Sequence, residues 1–521
     1  MCNRIVPGRA CVPLRSCAPH TPADRMTNVV SPSTKHTQTP AATSRFAGQH
    51  IHLIGIGGCG MSGLARLLAD RGAHCAGSDS VASDLTAALQ EAGIPVAHDQ
   101  SKGELPDACD LIVASAAIKP DHPELLAAQD RGVPIISYAE MLGAIQADAT
   151  GVSIAGTHGK STTSAMLCHV LIECGLDPSF IVGATCPQIA SGRIGGSRAG
   201  AAVIPGQGPY AGRAGLVIAE ACEFNRSFHH HRPTLGLINN IEEDHLDIYG
   251  SLDQVVRAFA EFARLIPEEK VGGRLLIAHE GAHRREVTTG LRCGIETFGF
   301  SPAADYQIVA DASVQRVGLL QEGHWLTQWT NRMPGEHNAQ NASAAAIIAH
   351  WLGADWDGIG AALESFAGIE RRMQRLGTRT VGGGDVVVYD DYGHHPTEIE
   401  ITLRALRAAE KPERLICVFQ PHQHSRTRFL LEQFAQSFSE AEVVIVPHIY
   451  FVRDSEIEKQ RISAADLVDR LRQRGVSAMH LYPFEAIVEQ LENICRPGDL
   501  LVIMGAGPVW KVAHQYLALR D

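Results

Sequence analysis

The chain has no Cys-x-x-Cys pair, and its 13 cysteines stand singly. That pattern fits reduced thiols of a cytoplasmic protein and excludes a disulfide framework or a zinc ribbon. No apolar run reaches the roughly 18–20 residues that a membrane helix needs. The longest are broken by Gly, Asp or His within a strand's length, so no membrane association is expected. Dense Lys/Arg runs are missing, and the net charge of −12 is spread along the chain, which speaks against a nucleic-acid partner. There is no repeat of fixed short period, so a solenoid is excluded. Acids are scarce in residues 1–48, where Asp24 is the only one amid Ser, Thr, Pro and Arg. This stretch lacks the apolar core of a secretory signal. It loosely resembles an organelle transit peptide, but a start at Met26 is the simpler account. Residues 1–48 are expected to be a disordered arm without catalytic content.

What is present is a globular composition, 45% hydrophobic and 20% charged over 521 residues, long enough for about three domains. From His50 onward short apolar runs alternate with amphipathic stretches, the pattern of α/β units around parallel sheets. The pattern restarts, which predicts domains at 49–148, 149–369 and 370–521. The first and third read as Rossmann-like, and the second as P-loop ATPase-like. Predicted strands include Ile51–Ile54, Val152–Ala155, Leu216–Ala219, Leu235–Ile238, Val386–Tyr389, Leu415–Phe419, Val443–Val446 and Leu500–Met504. The Gly/Ser/Arg-rich stretch 191–213 reads as an exposed loop or hairpin connection.

The most informative segment is Gly156-Thr157-His158-Gly159-Lys160-Ser161-Thr162, between a predicted strand and a predicted helix. Glycines let backbone N–H groups turn toward an anion, and the helix N-terminus favours negative charge. Lys160 is placed to reach β- and γ-phosphates and Ser161 to hold Mg²⁺. The strict eight-residue P-loop pattern is not met, because Ile154 stands at its first glycine. A tight turn that happens to contain Lys is the bland alternative. Two strand ends weigh against it: Glu220 directly follows one apolar run, and His245 follows another through Asn239-Asn240-Ile241-Glu242-Glu243-Asp244. Strand ends on one edge of a parallel sheet converge on a ligand crevice, so both are candidates to face the nucleotide.

A second glycine loop, Gly55-x-Gly57-Gly58-x-Gly60, follows the first strand, and Asp79 lies where an acid binds a ribose hydroxyl. Taken alone this is a dinucleotide fingerprint and points to an NAD-dependent oxidoreductase. That reading leaves the second phosphate loop unexplained.

Ordered blocks along residues 50–521 resemble the Mur ligase family: the two glycine loops, Glu220-Ala221-Cys222-Glu223, Asn240 to His245, Pro334 to Asn341, Asp390-Asp391-Tyr392-Gly393-His394-His395-Pro396-Thr397-Glu398, and Gln420-Pro421-His422. The resemblance implies a three-domain enzyme that uses ATP and Mg²⁺. It would phosphorylate the lactyl carboxylate of UDP-N-acetylmuramate and couple L-alanine to the acyl phosphate. It implies that Lys160, Glu220, His245 and His394 are catalytic, with Ser161, Glu220 and His245 holding metal. Asn338 and Asn341 would meet adenine, Arg371 or Arg372 the phosphates, and Asp391 the ribose. Gly55, Gly57, Gly58, Gly60, Asp79 and Tyr392 would hold the UDP-sugar, and His422 and Arg426 the amino acid. A member of this family that joins recycled tripeptide to the same sugar is the nearest alternative. A monomer or weak homodimer is expected.

The chain departs from the family's usual Glu-Ala-Asp-Glu-Ser-Asp by carrying Cys222 and Asn225, and has Gln423 where relatives commonly carry Arg. Ser161 replaces a common Thr, and both offer a hydroxyl. The segment from Tyr249 to Leu265 holds no Lys, so the carbamylated lysine of some family members has no counterpart there. His229-His230-His231 reads as a solvated turn, because consecutive residues do not share one face of a helix or strand. Cys59 reads as a small residue that fits its loop, unless the helix N-terminus lowers its pKa.

Overall fold

In this computed structural model, residues 44–190, 196–452 and 454–518 are described. Three sheets follow one another along the chain. The first has five parallel strands in the spatial order Val96–Ala97, His74–Ser78, His50–Ile54, Leu111–Ala114, Ile135–Ser137. The chain leaves the central strand His50–Ile54 toward one neighbour and later returns on its other side. The glycine loop therefore sits at the switch point where such sheets bind ligands.

The second sheet has ten strands. Its parallel part runs Tyr306–Asp311, Gly294–Gly299, Arg274–Ala278, Leu235–Ile238, Thr150–Ala155, Leu216–Glu220, Ser179–Val182. The antiparallel strands Arg316–Gln321 and His324–Thr330 extend one edge, and Gly196–Arg198 closes the other. Thr150–Ala155 is buried at every position. Both its faces are covered, which is why the strand reads as a continuous run instead of an alternation. Helix Lys160–Glu173 is buried from Thr162 to Leu171 and packs on helix Glu336–Trp351. The small residues Ser343, Ala344, Ala345 and Ala346, all fully buried, let the backbones approach closely.

The third sheet has six strands ordered Gln374–Val381, Gly384–Asp391, Asp499–Met504, Arg414–Phe419, Val443–Val446, Ser477–His480. Only its first pair is antiparallel. The mixed α/β architecture agrees with the sequence expectation.

Several expectations are corrected. Of the arm drawn as 1–48, residues 1–43 lie outside the described residues, but 44–48 are ordered. Phe46 is buried against the first core, and the Gly48 N–H donates to the Gly72 carbonyl at 2.8 Å. The stretch 191–213 is not simply an exposed loop: 191–195 lie outside the described residues, but Tyr210 is buried and its hydroxyl donates to the Gly272 carbonyl at 2.6 Å. Nor are the three histidines a solvated turn. His231 is buried and bonds Ser153 Oγ at 2.9 Å, while His229 stacks on Phe228. Burial pushes the His231 imidazole down to about 4, helped by its neighbours His230 and Arg232.

Candidate active site

The phosphate loop leaves strand Thr150–Ala155 at Gly156 and enters helix Lys160–Glu173 at Gly159, which has φ +80°. A Cβ at Gly159 would lie 2.4 Å from Asn341 Oδ1, so only glycine fits there. Asn240 braces the loop: its carbonyl accepts from Thr157 N–H at 3.1 Å and its Oδ1 from His158 N–H at 2.7 Å. Lys160 Nζ donates to the Gly156 carbonyl at 2.6 Å and to Glu223 Oε2 at 2.9 Å. Burial alone would lower its pKa, but Glu223 beside it raises it, so the ammonium stays charged. At the first turn Ser161 Oγ donates to Glu220 Oε2 at 2.9 Å.

Two cavities meet at this loop. One, of about 450 Å³, is lined by the loop, Asn338, Asn341, Arg372 and Asp391. The other, of about 590 Å³, draws walls from all three sheets: Cys59 from the first, Glu220, Glu223 and His245 from the second, and Tyr392, His394, His422 and Arg426 from the third. His158, Lys160, Ser161, Arg372 and Glu398 line both, and so form the partition between them.

In the first cavity Asn341 Oδ1 accepts from Thr163 Oγ1 at 3.1 Å, and Asn338 Nδ2 donates to the Pro334 carbonyl at 2.9 Å. Asn239 Oδ1 is buried there with no hydrogen-bond partner, an acceptor available to a ligand donor. Asp391 is more constrained than a free ribose contact would be. Its two oxygens accept from Met373 N–H at 2.7 Å and Gly393 N–H at 2.6 Å. Burial pushes its carboxyl up to about 6, against the pull of Arg372 and those amides.

Of the two adjacent arginines, Arg372 reaches the partition, with Nη1 3.5 Å from Glu398 Oε1. Arg371 does not line the first cavity. It spends Nε on Asp390 at 3.2 Å and Nη2 on the Gly505 carbonyl at 2.6 Å. Glu398 gathers two imidazoles beside the Arg372 guanidinium, since His158 Nδ1 lies 3.3 Å and His394 Nδ1 3.4 Å from it. Burial opposes its ionisation, but those neighbours hold it well below the usual carboxylate range.

In the second cavity His245 has φ +52°, which costs a non-glycine residue about 1 kcal/mol. Its Nε2 lies 3.6 Å from Asp244 Oδ2, and one ligand atom each from Glu223, Asp244 and His245 lie within 4.8 Å of one another. Hard oxygens with one imidazole suit a small divalent cation, as does the Ser161–Glu220 pair. Burial, with Arg426 and His422 nearby, holds His394 well below its ordinary pKa, so it is a neutral imidazole. Arg426 donates through Nε and Nη2 to Asp244 Oδ1 at 3.1 and 2.8 Å, and its Nη1 lies 3.4 Å from His422 Nδ1.

Gly55, Gly57, Gly58 and Gly60 open the first domain's loop, but only their neighbour Cys59 lines the chamber. Asp79, expected on a ribose, accepts from Gly57 N–H at 2.9 Å and Val81 N–H at 3.0 Å. It therefore shapes the loop. Burial, with Glu220 adding to it, pushes the Cys59 thiol up to about 11, the opposite direction to the lowered pKa considered for it.

Sequence reasoning missed Asp244 and Glu398 as site residues. Each stood inside a quoted block, Asp244 directly before His245 and Glu398 four residues after His394. Only the fold reveals that their carboxylates face cations from other elements.

A phosphate loop opening into a chamber walled by three sheets defines the class, a multidomain P-loop enzyme whose site is assembled between domains. The chain belongs to the Mur ligase family. Residues 50–150 match the model described as "Mur ligase family, catalytic domain", 154–349 the "Mur ligase middle domain" and 371–507 the "Mur ligase, glutamate ligase domain". The UDP-N-acetylmuramate–L-alanine ligase of Acetivibrio thermocellus is 35% identical over 90% of this chain and 96% of that protein. The enzyme of the same name from Lachnospira eligens is 37% identical over 90% and 98%. A crystal structure of a UDP-N-acetylmuramate–alanine ligase from Thermotoga maritima aligns with a TM-score of 0.69 at 25% identity, covering 90% of this chain and 98% of that one. A murein peptide ligase from Psychrobacter arcticus aligns at 0.67 and 25%, with the same coverage.

Proposed function

We propose that this chain ligates L-alanine to the lactyl carboxylate of UDP-N-acetylmuramate at the expense of ATP, with Mg²⁺, in peptidoglycan precursor synthesis in the cytoplasm. The observation that carries the reading is the chamber where Lys160, His394 and Arg426 converge from two different sheets beside Cys59 of a third. Relatives of that activity at 35% and 37% identity over 90% of the chain support it. Domain 49–148 would hold the UDP-sugar at its glycine loop, 149–369 ATP, and 370–521 the amino acid. We expect a monomer or weak homodimer.

A free carboxylate is a poor acyl donor. Its oxygen attacks the γ-phosphorus, ADP leaves, and an acyl phosphate forms. The amine of L-alanine then attacks the carbonyl carbon. A tetrahedral intermediate collapses with loss of inorganic phosphate, and the amine's proton passes to the surrounding base or water. Asn338 and Asn341 hold adenine, and Asp391, with its loop amides, faces the ribose. Lys160 and Arg372 carry the phosphates, and Ser161, Glu220 and His245 are the candidate metal ligands. Mg²⁺ at such residues would neutralise charge on the transferring phosphoryl group. Neutral His394 stands beside the amino-acid end and can accept a proton from the attacking amine. Arg426 offers a planar fork to the amino-acid carboxylate.

The test is phosphate release and product mass with UDP-N-acetylmuramate, ATP and each of alanine, glycine, serine and tripeptide. Alanine should be the best acceptor. A clear preference for tripeptide would transfer the chain to the recycling activity, and tight NAD binding would overturn the assignment of the first domain.

A further inference from the structure

Three consecutive acids after strand Leu235–Ile238 each take a partner from the third domain. Glu242 Oε2 accepts from Thr397 Oγ1 at 2.6 Å, the Glu243 carbonyl bonds His395 Nε2 at 3.0 Å, and Asp244 Oδ1 takes Arg426. The last contact differs in kind, because Arg426 is the group to which the proposed function gives the amino-acid carboxylate. Both side chains are buried. Asp244 Oδ1 is also fixed by its own backbone, accepting the His245 N–H at 2.7 Å. The acceptor is therefore immobile before any substrate arrives, and it holds the guanidinium by the Nε–Nη2 edge. Nη1 lies on the opposite edge, 3.4 Å from His422 Nδ1, and Arg426 and His422 both line the chamber.

We infer that Asp244 is a positioning residue of the amino-acid site: it clamps one edge of Arg426 so that the other edge meets the incoming carboxylate. The inference rests on the ligase reading above. It assigns Oδ1 of Asp244, a member of the Glu223–Asp244–His245 group that suits a cation, to recognition of the acceptor instead. Because Asp244 belongs to the ATP-side sheet and Arg426 to the third, the acceptor site is complete only where these two domains meet. A guanidinium rotating freely about its long side chain would pay the ordering entropy on binding, whereas a clamped one has paid it in folding.

The experiment uses the full chain with Asp244→Asn, Arg426→Lys and the double variant. Phosphate release gives KM for L-alanine and kcat. Hydroxylamine trapping of the acyl phosphate without alanine gives the partial reaction and its Mg²⁺ dependence. Asp244→Asn is expected to raise KM for L-alanine about tenfold or more, because one member of a buried charge pair is lost. The Mg²⁺ concentration for half-maximal trapping should stay in place. The double variant should be little worse than Arg426→Lys alone, since both changes act through one guanidinium. An unchanged KM, a KM effect that multiplies in the double variant, or a shifted Mg²⁺ requirement would each overturn the inference, the last by making Asp244 a cation ligand. If Asp244→Asn does not fold, Asp244→Glu keeps the charge but displaces the carboxylate, and the same split is expected. Absence of alanine ligation by the unmodified chain would instead defeat the ligase reading itself.

Discussion

Lys160 Nζ lies 2.9 Å from Glu223 Oε2, so the cation of the phosphate loop is already neutralised by a carboxylate of its own domain. Arg372 with Glu398 repeats the arrangement, and Arg426 is neutralised by Asp244 of the neighbouring domain. A buried cation without a counter-charge costs several kcal/mol, and these acids remove that cost. An anionic substrate must then share or displace a carboxylate at each point, which favours ligands that bring their own divalent cation over bare anions.

Lys160→Ala should reduce phosphate release by about 10²–10³-fold or more, the scale of losing one preorganised charge at a transferring phosphoryl group. It also strands Glu223, which is 2% exposed, so a lower melting temperature is expected beside the loss of turnover. Activity near that of the unmodified chain would mean that this loop is not the ATP site.

His158 ties the phosphate loop to Glu242 and Glu398, at 3.5 and 3.3 Å. Burial alone would lower its pKa, but those two carboxylates raise it from 6.5 to about 9. A basic group with a raised folded pKa contributes stability that is fully present below 6.5 and lost as pH rises through about 9. Melting temperatures should therefore fall across that window. His158→Gln should be less stable at neutral pH and show a flatter slope between the two values; an equal slope would remove His158 as the cause.

Cys59 sits in the chamber wall at the start of a helix, a place where thiols are often activated. With its pKa pushed up to about 11, it should be protonated and slow at pH 7.5. Peptide mapping after iodoacetamide should show Cys59 labelled far more slowly than free cysteine. Labelling at the free rate would contradict this environment.

Helix Tyr138–Ala147 crosses the turn before His231 so closely that a Cβ on Gly143 would lie 1.9 Å from the His230 carbonyl oxygen. Gly143→Ala should destabilise the fold by about 1–3 kcal/mol, the usual cost of overpacking. Thermal or urea unfolding would measure it, and an unchanged midpoint would mean that the two segments separate easily.

Much of the fold was legible because buried parallel strands are written as unbroken apolar runs, such as Val152 to Ala155 and Leu500 to Met504. The antiparallel extension from Tyr306 to Thr330 was not. Its strands mix burial with exposure, and Trp325 and Trp329 fit a helical face as well as a strand. His231 was misread because adjacency along the chain says nothing of which neighbour is lowered into the core. Lys160 and Ser161 were legible as candidates because a strand end, a glycine and a helix start lie within a few residues of each other, and Glu220 because it ends an apolar run.

The sequence by itself determined the local pattern: the glycine-containing strand-to-helix loop at Gly156 to Thr162, the acidic strand ends, and the order of the blocks that resemble one family. Those features depend on short-range backbone geometry, which neighbouring residues dictate. Tertiary structure alone decided how the charges are paired. Asp244 and Arg426 are 182 residues apart, His158 and Glu398 are farther apart still, and no local rule couples such positions. Their pairing follows from the packing of the domains, which brings buried acids and cations of different domains within reach of each other.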